Sequence, residues 1–97
     1  MEKVAKLSEL KAPKLVTVGR KEVALFLVNG KVYCINNTCP HAGGPLCEGG
    51  LDNTTVTCPW HGWSFDVTSG NCVNPAYGAA INTHKVEVKG ADVFVEV

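Results

Sequence analysis

The strongest constraint in this chain is a set of four metal-ligating residues: Cys39-Pro-His41, sixteen intervening residues, then Cys58-Pro-Trp-His61. Each half offers one thiolate and one imidazole in the same order. A zinc finger of the Cys₂His₂ kind keeps its sulfurs together and its histidines together, and a four-cysteine iron–sulfur site has no histidine. Two mixed pairs on separate loops suit two unlike metal ions, one held by sulfur and one by nitrogen. A single tetrahedral zinc on the same four residues remains the alternative. His84 has no cysteine beside it and reads as a surface or packing histidine.

The rest of the chain reads as β-structure. Candidate strands are 4–7, 15–18, 22–28, 31–35, 54–57, 63–67, 85–88 and 93–97. Asn29-Gly30 between two apolar runs is a strong hairpin signal, because both turn positions require positive φ. A closing hairpin is expected around Lys89-Gly90-Ala91-Asp92. No window shows a helical period, since Pro75 and Gly78 interrupt the one helix-forming stretch. Residues 37–76 differ in kind: they carry both ligand pairs, four of the five prolines and six of the ten glycines. Turn-forming residues at that density are expected to make loops.

The motifs C-P-H-A-G-G-P-L at 39–46 and C-P-W-H-G-W-S-F-D at 58–66, followed by Pro75, resemble the Rieske iron–sulfur family. The resemblance is to small Rieske ferredoxins serving aromatic-ring dioxygenases and to the small subunit of NADH-dependent nitrite reductase. It implies an all-β, Rieske-type fold: an antiparallel β-sandwich or barrel base with an inserted cluster-binding subdomain at about 37–76, within a single domain spanning 1–97. It also implies one [2Fe–2S] cluster, with Cys39 and Cys58 on the inner iron and His41 and His61 on the outer, and the Pro75 loop lying against it.

The ligand set has an electrostatic consequence. Two ferric ions, two sulfides, two thiolates and two neutral imidazoles sum to zero, whereas four thiolates would leave the oxidised centre doubly negative. An electron enters a neutral centre more easily than an anion in a low dielectric, so the histidines raise the potential from about −400 mV to roughly −150 to +300 mV. High-potential members of the family tie their ligand loops with a disulfide at the positions of Gly44 and Trp60. They donate hydroxyl hydrogen bonds to the cluster from the positions of Trp63 and Phe65. Those devices are missing here, which predicts a potential near the lower end of that range. Pro40 and Pro59 stiffen the loops, and Gly43, Gly44 and Gly62 permit close backbone approach, with amides free to point at the sulfides.

Nine Lys and Arg balance nine Asp and Glu, which argues against nucleic-acid binding. No apolar run is long enough to span a bilayer and no signal segment is evident, so a cytoplasmic protein is expected. Five cysteines, an odd number, argue against a complete disulfide framework, although a Cys47–Cys72 bridge stays open. All cations lie outside 32–84, so the cluster end should be apolar and weakly acidic.

The functional expectation is an electron carrier rather than an enzyme. It takes one electron from a reductase and passes it to a terminal oxygenase or other redox enzyme. The alternative is a non-catalytic small subunit of a nitrite reductase. Redox sensing through Cys47 or Cys72 is a weaker reading.

Overall fold

The computed structural model describes residues 1–40, 43–60 and 62–97. Ten strands and two short 3₁₀ turns account for its regular structure. The strands are β1 (Glu2–Lys6), β2 (Lys14–Val18), β3 (Lys21–Val28), β4 (Lys31–Asn36), β5 (Gly50–Asp52), β6 (Thr55–Thr57), β7 (Ser64–Asp66), β8 (Cys72–Asn74), β9 (Thr83–Lys89) and β10 (Asp92–Glu96). No α-helix occurs among the described residues, and none of their helical segments is long and apolar enough to cross a membrane.

Six strands form one antiparallel sheet in the order β1-β10-β9-β4-β3-β2. Its two edge strands, β1 and β2, come close together, so the sheet curls into a nearly closed barrel. The Asn29-Gly30 turn joins β3 to β4 as expected: Val28 pairs with Lys31, and the two turn residues have φ of 50° and 80°. The barrel interior is filled by alternating side chains from successive strands, among them Val16, Val23, Leu25, Cys34, Val93 and Val95. β3 is buried at Val23 through Phe26, because Ala24 and Phe26 face a second core while Val23 and Leu25 face the first.

That second core lies between the barrel and a four-stranded antiparallel meander, β5-β6-β7-β8. Phe26, Ile35, Leu46, Val56 and Phe65 are fully buried there, and Cys39 and Cys58 belong to the same cluster. Burying a Phe or Leu side chain contributes about 1.5–3 kcal/mol, so this core fixes the meander to the barrel. β6 and β7 fall on the strands expected at 54–57 and 63–67, whereas β5 and β8 form where the turn-rich composition of 37–76 was expected to make loops. Strands of three residues form where neighbours supply a ladder, even at Gly50 and Asp52, whose own strand preference is poor.

Candidate metal centre

The two ligand-bearing segments are six-residue loops of one design. Residues 39–44 run between a β-bridge of Thr38 with Pro45, and residues 58–63 run between the paired Thr57 and Ser64. In each, the cysteine N–H donates to the carbonyl of the sixth residue: Cys39 to Gly44 at 2.9 Å and Cys58 to Trp63 at 2.7 Å. In each, the fifth residue donates back to the cysteine carbonyl: Gly43 to Cys39 at 2.8 Å and Gly62 to Cys58 at 3.1 Å. Both fifth residues sit in the left-handed region, at φ of 79° and 78°, which glycine adopts without strain.

This closure takes up four of the loop amides that were expected to be free to point at the cluster. The N–H groups of Cys39, Gly43, Cys58 and Gly62 are all engaged in closing the loops. Among the described residues, Gly44 is the loop glycine at which another loop approaches closely. A Cβ there would stand 2.6 Å from Cys58 Sγ.

The first loop is pinned to the barrel by a residue that sequence reasoning did not single out. Asn37, 4% exposed, is the one buried polar residue among those described. Its N–H donates to the Glu22 carbonyl, its carbonyl accepts from Leu46 N–H at 2.7 Å, and its Oδ1 accepts from Cys47 N–H at 2.8 Å. The 3₁₀ turn Leu46–Glu48 is thereby held against the residue that follows β4, two residues before Cys39. The second loop needs no such clamp, because it closes the β6–β7 hairpin directly.

Cys39 and Cys58 are 1% and 2% exposed, and the loops that carry them touch at Gly44. His41 and His61 lie outside the described residues. Two buried thiols at the starts of matched, adjoining loops form a donor set suited to a binuclear iron–sulfur group.

Around them, Trp63 packs edge-on against Tyr77, with ring centroids 6.4 Å apart, and tilts against Phe65 at 6.5 Å. The 75–78 turn that carries Tyr77 is tied by Gly78 N–H to the Pro75 carbonyl, and the Cys72 thiol donates to the same carbonyl at 3.1 Å. Phe65 is wholly core, and Ser64 Oγ is paired with Thr57 Oγ1 at 3.0 Å. Trp60 is 57% exposed.

The remaining cysteines are thiols, so the open Cys47–Cys72 bridge does not form. Burial pushes the Cys34 thiol up to about 12. Burial, with Glu48 beside it, raises Cys47. Neither is activated as a redox sensor would need. His84 lies on β9 opposite Cys34, with Nε2 2.6 Å from Asn36 Oδ1. Burial foremost, and then the Lys21 charge, lower its pKa. It is the packing histidine expected.

Comparison with known proteins agrees with this geometry. The chain is 33% identical over 82 residues to the ferredoxin component of a naphthalene 1,2-dioxygenase system from Pseudomonas aeruginosa, covering 84% of this chain and 79% of that protein. The ferredoxin of carbazole 1,9a-dioxygenase from Nocardioides aromaticivorans IC177 superposes with a TM-score of 0.91 at 30% identity, over 96% of this chain and 93% of that one. A chain in a complex of reduced oxygenase and oxidised ferredoxin in carbazole 1,9a-dioxygenase superposes at 0.90 with 31% identity, over 97% and 99% of the two chains. The Rieske [2Fe-2S] domain profile matches residues 1–90, which decides for an iron–sulfur cluster over zinc. A nearly closed barrel, a small meander and two matched cysteine loops are thus the parts of a Rieske domain, and the chain belongs to the Rieske [2Fe-2S] family.

Proposed function

We propose that this protein is a one-electron carrier that receives an electron from a reductase and delivers it to a terminal oxygenase. In this reading Cys39 and Cys58 hold the inner iron and His41 and His61 the outer iron, within one Rieske domain whose cluster-binding part is about 37–76. The observation that carries it is the pair of matched loops, 39–44 and 58–63, on a chain that aligns along most of its length with dioxygenase ferredoxin components. The bound cluster supplies a reversible one-electron step at a potential set by its ligands and surroundings.

The chain's own residues do the rest. Leu46, Val56 and Phe65 exclude water behind the thiols. The amides of Cys39, Gly43, Cys58 and Gly62 are consumed by loop closure, so none of these four lends a hydrogen bond to the sulfides, and Ser64 Oγ is paired with Thr57 Oγ1. Trp63 and Phe65 carry no hydroxyl to donate to the sulfides, which means less stabilisation of added negative charge and supports a low potential.

Charge placement supports the partner reading. Outside 37–76 the chain has nine cations against six carboxylates; inside it has Glu48, Asp52 and Asp66 and no cation. The two parts therefore carry +3 and −3. This separation presents the cluster end to a partner as an apolar, weakly acidic surface. The odd cysteine count, which cannot make a complete disulfide framework, supports a reducing, cytoplasmic setting.

The test is stopped-flow mixing of the reduced protein with a terminal oxygenase component and, separately, of the oxidised protein with its reductase. Transfer in both directions is expected. Failure with every oxygenase, alongside transfer to a different redox enzyme, would overturn the partner assignment.

A further inference from the structure

Gly44 is a glycine for reasons of space. Its φ lies outside the left-handed region that Gly43 occupies. What forbids a side chain is the neighbouring loop. A Cβ on Gly44 would stand 2.6 Å from Cys58 Sγ, 3.0 Å from Trp60 Cγ and 3.1 Å from Trp60 Cδ2. The last residue of the first loop is thus sandwiched against a thiol and an indole of the second. Trp60 is 57% exposed, so its contact with Gly44 is not core packing. One side of the ring rests on the opposite loop and the remainder meets water.

We propose that Trp60 is a positioning residue, a non-covalent tie that clamps the end of the first ligand loop to the start of the second and covers the Cys58 sulfur. This rests on the reading that Cys39 and Cys58 hold the cluster. Each loop is closed by its own two backbone hydrogen bonds and both cysteines sit in one core cluster, so a contact across the loops at Gly44 adds to what holds the two thiols at a set separation. An indole suits this role, being large, rigid and apolar on its face. Removing it lets the loops separate and admits water to a buried sulfur.

The experiment compares wild type, Trp60→Phe and Trp60→Ala, all loaded with cluster. Three quantities are read: the rate at which visible absorbance is lost under air, the reduction potential, and the far-UV circular dichroism. Trp60→Ala should lose its cluster roughly tenfold faster. Its potential should rise, because water stabilises the more highly charged reduced form. Trp60→Phe keeps a ring on Gly44 and should stay within about threefold of wild type.

Gly44→Ala pushes a methyl into the same space and should also speed cluster loss. Wild-type cluster retention and potential in Trp60→Ala would overturn the tie. A Trp60→Ala protein that loses only affinity for its redox partner would overturn it too. Should wild type itself show no Rieske signal, the ligand reading fails, which is a separate result. Should Trp60→Ala not fold, Trp60→Phe and Gly44→Ala carry the test.

Discussion

Asn37→Ala should loosen the first ligand loop at its root. The carboxamide Oδ1 accepts the Cys47 N–H at 2.8 Å, and the residue is 4% exposed, so water cannot readily replace it. Losing one partner of a buried hydrogen bond costs about 1–3 kcal/mol, chiefly because the N–H is left desolvated. For a chain of this size, with an m-value of about 1–1.5 kcal/mol/M, that is a fall of roughly 0.7–3 M in the urea midpoint. The assay is anaerobic urea unfolding, read by far-UV circular dichroism and by cluster absorbance. Cluster absorbance should be lost no later than secondary structure.

Thr68→Ala is the control. It removes a side-chain hydrogen bond of similar length, Thr68 Oγ1 to Asp66 Oδ1, at an exposed position. Water replaces that bond, so the change should stay within about 0.5 kcal/mol. An Asn37→Ala protein as stable as the Thr68→Ala control would refute the claim that Asn37 anchors the loop.

Two titratable groups give further tests. His84 has a folded pKa below its ordinary 6.5, so the native state resists protonation and the unfolded state does not. Stability should hold above about pH 6.5, decline as pH falls below it, and level off beneath the folded pKa; His84→Gln should flatten that part of the urea-midpoint profile, and an unchanged profile would contradict the assignment. Cys34, with its pKa near 12 and 2% exposure, should resist iodoacetamide at pH 8 until urea unfolds the chain, as mass spectrometry of the alkylated protein would show; prompt labelling of the native state would contradict its burial.

Elements of the fold differ in how far local sequence announces them. Asn29-Gly30 announced its hairpin because a two-residue turn with both φ positive is a local demand that few residue pairs meet. The long strands β3 and β9 were legible from their apolar or alternating runs. β5 and β8 were not. Gly50-Leu51-Asp52 and Cys72-Val73-Asn74 have little strand preference, and they exist because the ladder starting at β6 and β7 extends to them.

The same distinction holds at the site. Cys39 and Cys58 stood out because their spacing is local chemistry. Asn37 sits in Asn36-Asn37-Thr38, which reads as a turn, and only the docking of residues 46–48 buries it. The contact of Trp60 with Gly44 joins residues sixteen apart on two loops; the family resemblance pairs these positions, but that an indole rests on the glycine shows only in the folded chain. Proximity of Gly43 and Gly62 to the cysteines suggested amides aimed at a cluster. Loop closure claims those amides instead, and it shows only when both ends of each loop are placed.

The central claim is a Rieske cluster whose surroundings keep its potential low. Redox titration of the purified protein, followed by EPR of the reduced state, tests it most directly. The expected result is a Rieske signal that appears with a midpoint near the lower end of roughly −150 to +300 mV. A clearly positive midpoint, or a reduced protein with no Rieske signal, would contradict it.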